Sequence, residues 1–421
     1  MALSSVSLLL LLLLISIGST SAHGNGSAVG PRTFSGQPVQ DQSDRADYLD
    51  PSWIDDGGSG SVPPQQPVKK HHHDGQKLFF VSDEARSFLQ SRLATVFVPT
   101  LYTLVFVLSV PLNAVAVVMF VQLIRPKKPA VIYMLNLAIA DLLFGLLLPF
   151  KVAYHYQGNN WVFGGALCRV VTASFYCNMY CSVLLMTCIG VDRLLAVAYP
   201  IQSLSWRSSQ AASLVCVSMW LLALVGAAPL LVSEQTAYLP ELNITTCHDV
   251  QDAAKLQTFY QFFFPIYSFV FFFIPLVLTA ACYLRVISVL AATSVQNRSR
   301  KKRAVVMAVM VLLVFVLCFT PTNVILLVHY IQLSSRPSDG TYQAYLLSLS
   351  LGSVACCLDP LLYYFGSSQC QKQVMALLRG QRLAPTASSS STRSRKTVTS
   401  MVGATDPGQN GLVKMYQQLA A

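Results

Sequence analysis

Residues 131–154 read VIYMLNLAIADLLFGLLLPFKVAY. Wound as a helix rising about 1.5 Å per residue, the stretch is ~36 Å long and crosses the ~30 Å hydrocarbon core of a bilayer. Near its middle stands Asp141. A carboxylate at that depth costs several kcal/mol unless it is paired or faces a polar interior, so the helix is read as one member of a bundle. Six more blocks of this kind lie at approximately 95–124, 165–199, 211–232, 258–290, 303–330 and 342–366. Of the 421 residues 53% are hydrophobic and 11% charged, far below the roughly 25% charged share of soluble domains.

Seven spans put the two ends on opposite sides of the membrane. Arg125, Lys127 and Lys128, Arg207, and Arg298, Arg300, Lys301, Lys302 and Arg303 crowd one set of short loops, which the positive-inside rule makes cytoplasmic. The amino-terminal arm is then extracellular, and the sequons at Asn25 and Asn243 fall on the side where glycans are added, whereas that at Asn297 does not. Residues 1–22, a leucine run followed by Thr20-Ser21-Ala22, read as a signal peptide. The net charge of +11 belongs mostly to the cytoplasmic rim and tail, which face anionic membrane lipid, and calls for no nucleic acid.

The intramembrane charges singled out are Asp141 in NLAIADLLF, Asp192-Arg193 in GVDRLLAVAYP and Asp359 in CCLDPLLYY. With Asn113, Trp220, Pro275, Tyr283, the FTPTN run around Pro321 and Asp359-Pro360-Leu361-Leu362-Tyr363, their order resembles the rhodopsin-like G-protein-coupled receptors across the whole membrane portion. The resemblance implies an all-α seven-transmembrane bundle. It implies a hinge at Pro321, with Phe315 and Phe319 repacking around it, and Arg193, beside Asp192, engaging Tyr283 and a G protein when the sixth helix moves; Tyr363 belongs to the same machinery. Asp141, Asn178, Ser182 and Asp359 would form a sodium pocket, two adjacent carboxylates favouring either a cation or a shared proton; a polar knot that only joins helices is the alternative. Of eleven cysteines, Cys168 and Cys247 are the expected outward-facing disulfide.

No catalytic triad, P-loop or dinucleotide loop appears, so no catalytic residues and no cofactor beyond that sodium ion are expected; His71-His72-His73 reads as a solvated run. A seven-span transporter or membrane enzyme would line a through-path with ionisable residues, and the few here end at the Asp192-Arg193 pair.

Residues 23–94 are polar and rich in Gly, Pro, Ser and Asp, and read as an arm disordered when free, open to proteases. In GPRTFSG, residues 30–36, Arg32 suits a trypsin-like specificity pocket and Thr33 is small enough to follow the scissile bond. Residues 47–56, DYLDPSWIDD, interleave Tyr48, Pro51 and Trp53 with Asp55, Asp56 and other acids, a pattern suited to a basic, partly apolar groove such as a thrombin exosite. With ITTCHDV at 244–250, FYCNMY at 175–180 and CFTPTNVILLVHY at 318–330, the chain resembles the protease-activated receptors, nearest the thrombin-receptor type.

That resemblance implies cleavage after Arg32 by a thrombin-like serine protease, release of 23–32, and return of Thr33-Phe34-Ser35-Gly36-Gln37-Pro38 as a tethered ligand. For an arm of about 60 residues the r.m.s. span is ~45 Å and the local concentration approaches millimolar. Its pocket would comprise His248, Asp249, Tyr176, His329, Tyr330, Tyr342 and Tyr345, with Asp249 as counter-charge. Ser35 and Gly36 are small where the family's ligand continues with bulky apolar residues. Arg86-Ser87-Phe88-Leu89 is a second cleavage motif, too near the first span to turn back. A peptide-gated receptor that needs no cut is the rival reading.

Residues 95–366 form the membrane domain and 367–380 an amphipathic surface helix, in which Cys370 is the candidate for lipidation. The tail, 381–421, carries TASSSSTRSRKTVTS, a phosphorylation target for arrestin binding. The family implies heterotrimeric G proteins acting through phospholipase C, calcium and Rho, with the inhibitory class as an alternative; whether receptors pair into dimers is left open by the sequence.

Overall fold

Seven helices long and apolar enough to cross a membrane run Leu93–Leu123, Pro129–Tyr156, Gly165–Ala198, Ser209–Val232, Thr258–Ala292, Ala304–Val328 and Gln343–Gly366 in the computed structural model of the chain. It describes residues 34–38, 79–125, 127–252, 255–292, 298–333 and 340–379. The ends fall within a few residues of the apolar blocks because the interruptions are turn and charge clusters. Pro129, for example, opens the second span with no donor to lose.

The third span packs against the second, fourth and fifth, and the sixth and seventh close the ring onto the first and fifth. Around the perimeter, Leu214, Val225 and Val277 are 69–71% exposed, which would be unfavourable in water and is favourable in lipid. Polar side chains tie helices inside. Asn113 Nδ2 donates to the Cys356 carbonyl at 3.0 Å and its Oδ1 accepts from the Tyr363 hydroxyl at 3.2 Å, joining the first and seventh spans. Trp220 Nε1 donates to Asn136 Oδ1 at 3.2 Å, joining the fourth and second.

Asn323, fully buried, joins three helices: its Oδ1 accepts from the hydroxyls of Tyr180, third span, at 3.0 Å and Ser268, fifth span, at 2.7 Å. Asn323→Ala leaves both donors stranded and is expected to cost about 1–3 kcal/mol, lowering the thermal midpoint of the detergent-solubilised protein by several degrees. Two residues before it, Pro321 lacks a backbone donor, and the preceding turn, Phe315–Phe319, is π-wound, with Thr320 giving both its N–H and its hydroxyl to the Phe315 carbonyl. The relaxed turn accommodates the proline at the expected hinge. Phe315 and Phe319 are buried there, edge-to-face at 6.1 Å.

Among the described residues, five short strands gather at one end of the bundle: β1 (Phe34–Pro38), β2 (Phe79–Phe80), β3 (Thr236–Leu239), β4 (Ile244–Cys247) and β5 (Val250–Asp252). β3 and β4 form a hairpin; β1 lies between β2 and β5, antiparallel to the first and parallel to the second. Within the arm read as disordered when free, residues 34–38 and 79–94 are described. Its last part holds β2 and a helix, Asp83–Gln90, N-capped by the Ser82 hydroxyl, which accepts from the Ala85 N–H at 3.1 Å. Ala85, Phe88 and Leu89, three and four apart, bury one face of this helix. Two turns are too short for a periodicity signal, and the tertiary contacts decide.

The opposite end carries the basic loops. Asp192 takes a two-pronged ion pair from Arg207 at 2.8 and 3.1 Å. Arg193 donates to the Gly366 carbonyl at 2.8 Å, and the buried Tyr283 hydroxyl has no hydrogen-bond partner among the described residues. A surface helix, Ser368–Leu378, follows, and the candidate lipidation site Cys370 is buried in it, 2% exposed.

Candidate functional site

The loop between the fourth and fifth spans is fastened before it forms anything. Cys247 is disulfide-bonded to Cys168 at the head of the third span, and its carbonyl accepts from Lys151 Nζ at 3.2 Å. Thr245 receives Trp161 N–H on its carbonyl at 2.7 Å and gives its own N–H to Asn160 Oδ1 at 3.0 Å. Next, His248 adopts φ +74°, a left-handed conformation that a non-glycine residue keeps only at a cost of about 1–2 kcal/mol. The reversal sends the chain from β4 into β5 with both His248 and Asp249 buried.

The bonds that hold His248 also link the loop to the bundle. Gln235 Oε1 accepts from Gln251 Nε2 at 3.0 Å and lies 2.8 Å from His248 Nδ1, so in the neutral ring Nδ1 carries the hydrogen. Nε2 is then the acceptor for the Tyr176 hydroxyl at 3.0 Å, and Tyr176 accepts in turn from Tyr345 at 3.0 Å. One chain of hydrogen bonds runs from the seventh span through the third to the loop.

Asp249 accepts from the Tyr154 hydroxyl, and Lys151 Nζ sits 5.0 Å above the Tyr154 ring. Tyr102, Lys151, Tyr176, His248, Asp249 and Tyr345 bound a cavity of ≈ 20 Å³. Beneath it is a second cavity of ≈ 30 Å³; Phe175 and Leu349 line both. Asp141, Asn178, Ser182 and Asp359, far apart in sequence, share this lower cavity with Thr322. Both oxygens of each carboxylate, Asn178 Oδ1, Ser182 Oγ and Thr322 Oγ1 have no hydrogen-bond partner among the described residues.

Into the upper site's sheet comes the arm. β1 pairs with β5 in the register Phe34 to Val250, Ser35 to Gln251 and Gly36 to Asp252, directly after His248 and Asp249. A family description, the 7 transmembrane receptor (rhodopsin family), matches residues 112–363. Proteinase-activated receptor 1 of Xenopus laevis is 49% identical over 325 residues, 77% of this chain and 76% of that one. The human receptor of that name is 47% identical over 342 residues, 79% of each, and human proteinase-activated receptor 2 is 41% identical over 295 residues, 69% of this chain and 74% of that one. The chain belongs to the proteinase-activated receptors of the rhodopsin family. It is accordingly a multi-pass plasma-membrane receptor rather than a member of an enzyme family.

Of the expected pocket residues, the structure brings Tyr176, His248, Asp249 and Tyr345 together; the side chains of His329, Tyr330 and Tyr342 lie outside the described set. So do Asn25, Arg32, Thr33, His71–His73 and the whole 47–56 segment, with Tyr48, Pro51, Trp53, Asp55 and Asp56. Asn243 is exposed in the β3–β4 turn at φ +52°. Arg86 is held in the short helix by ion pairs with Glu241 and Asp83. Sequence reasoning missed Lys151, Tyr154 and Gln235. A lysine, inside a span, was signal enough for the first; Gln235 carries none.

Proposed function

We propose that this receptor is switched on by a thrombin-like serine protease that cuts after Arg32 and leaves Thr33-Phe34-Ser35-Gly36-Gln37-Pro38 as a tethered ligand for the site at His248 and Asp249. The observation that carries the reading is the register of β1: Phe34 stands opposite Val250, the residue after Asp249, and the pairing is parallel, so the amino end of the strand is directed toward Asp249. In the intact chain that position is a neutral peptide bond with residues 23–32 still attached. Hydrolysis makes it an ammonium, and the buried carboxylate of Asp249, which accepts from Tyr154, carries the opposite charge to meet it.

The arm and the sheet end face outward, with glycans at Asn25 and Asn243, and the basic end faces the cytoplasm. Residues 47–56 engage the protease's basic groove. The pull on Tyr176 and Tyr345 passes through Phe175 and Leu349 to the lower cavity, the hinge at Pro321 opens, and Arg193 leaves Gly366 for Tyr283 and the G protein. Phospholipase C, calcium and Rho signalling follow, arrestin binds the phosphorylated tail, and neighbouring receptors pair in the membrane. Arg86 is a poor second site because its bond is wound into a helix, and a protease needs an extended substrate.

The lower cavity fits sodium: Asp141 and Asp359 would hold it with Asn178, Ser182 and Thr322, since seven otherwise unpartnered oxygens converge there. A bound sodium ion offsets one of the two carboxylate charges and favours the silent arrangement. Replacing sodium in the medium by N-methylglucamine is expected to sharpen agonist potency by about 3–10-fold, and Asp141→Asn to abolish that sensitivity.

The decisive experiment treats cells displaying the full chain with thrombin, sequences the new amino terminus and records calcium. Thr33-Phe34-Ser35 with a calcium rise is the expected pair of results; a terminus at Ser87, or a cut at Thr33 without signalling, overturns the reading.

A further inference from the structure

Resting on that reading of Phe34 onward as the ligand, we propose that the ligand binds by strand addition: recognition lies mainly in its main chain, which completes a sheet on β5 and β2, rather than in side-chain pockets for residues 35 and 36.

β1 is the middle strand of three, and β5 has no other strand partner among the described residues, since β3 and β4 pair only with each other. Without β1, β5 would present a free edge of N–H and C=O groups, the template that an extended peptide completes. That template is preformed. Gln251 is anchored on Gln235, and the disulfide at Cys247 lies three residues before β5. A rigid edge spares the ordering cost that a flexible partner would add to binding.

The ligand's own sequence suits this mode. Gly36 stands opposite Asp252, and a strand glycine marks a place where backbones come close. Pro38, which has no N–H to give, is the last residue of β1, where the ladder stops. The small Ser35 and Gly36, anomalous for a ligand read through side chains, are unexceptional for one read through its backbone. The pairing also explains polarity: a parallel strand enters in one direction only, with its amino end toward Asp249.

Successive amides of a strand point to opposite edges, and β5 covers one edge of residues 34–36 while β2 reaches only 37 and 38. The test uses the hexapeptide TFSGQP and versions N-methylated singly at positions 34, 35 and 36, added to cells bearing the full chain. Potency in the calcium assay should alternate, with losses of about tenfold or more where a ladder bond is lost and little change at the adjacent position. A profile flat across the three positions overturns the proposal.

A second measurement does not depend on agonism. In the full chain, Gly36→Cys with Asp252→Cys, the facing pair, should form a disulfide under mild oxidation far faster than Gly36→Cys with Gln251→Cys, whose side chains leave opposite faces. Equal rates, or none, overturn strand pairing. Neither result touches the choice of cleavage site: a chain that signals to thrombin with Arg32 replaced defeats the activation scheme, whereas flat methylation with normal Arg32 dependence defeats strand addition alone.

Discussion

Arg32→Gln is expected to remove the calcium response to thrombin while leaving the response to added TFSGQP within about threefold of the parent. Glutamine keeps an unbranched polar side chain but is shorter and lacks the guanidinium and its charge. A specificity pocket built around a buried carboxylate rejects a substrate that leaves that charge unpaired by about 10³-fold or more, because desolvation is no longer compensated. The peptide response survives because the receptor's site is untouched. Arg86 will not stand in: it is tied to Glu241 and Asp83, and Ala85, Phe88 and Leu89 bury its helix against the bundle. The assay needs two readouts, release of an amino-terminal tag and calcium, each at matched surface expression. Full signalling to thrombin by the Arg32→Gln chain would end the activation scheme.

Asp249→Asn is expected to separate cutting from signalling. The arm is cut at the normal rate, but potency of the peptide falls by about 30–100-fold, the equivalent of 2–3 kcal/mol for one buried, hydrogen-bonded charge pair. Asparagine retains an oxygen for the Tyr154 hydroxyl, so the loop keeps its shape and the substitution reads the charge rather than the fold. An N-acetylated TFSGQP supplies the control. It lacks the ammonium, so it should be about as weak on the parent as on the variant. If acetylation and Asp249→Asn instead weaken binding independently and additively, the amino group has another partner, and the buried Lys151 and Tyr154 around Asp249 would need a different explanation.

The membrane bundle was legible because its signal is local: each span is a run of apolar residues bounded by charges or turns, and Asp141, Asp192-Arg193 and Asp359 stand out by contrast. The pocket was legible only where a resemblance reached it, at Tyr176, His248, Asp249 and Tyr345. Gln235 shows why the rest was not. A glutamine in a loop is unremarkable until folding buries it between His248 and Gln251 and makes its oxygen the acceptor for both. Asn323 is similar, since its worth lies in hydroxyls 143 and 55 residues away.

By itself the sequence determined how many helices cross the membrane, where they begin and end, and which charges must be hidden, since transfer of side chains between water and lipid depends on composition over about twenty consecutive residues. Only the tertiary structure decided that Phe34–Pro38 lies as a strand on β5 and that the last part of the arm folds onto the bundle. Those outcomes rest on backbone hydrogen bonds and close contacts between residues tens to hundreds of positions apart. Five residues of FSGQP hold no preference strong enough to make a strand; the free edge that completes them does.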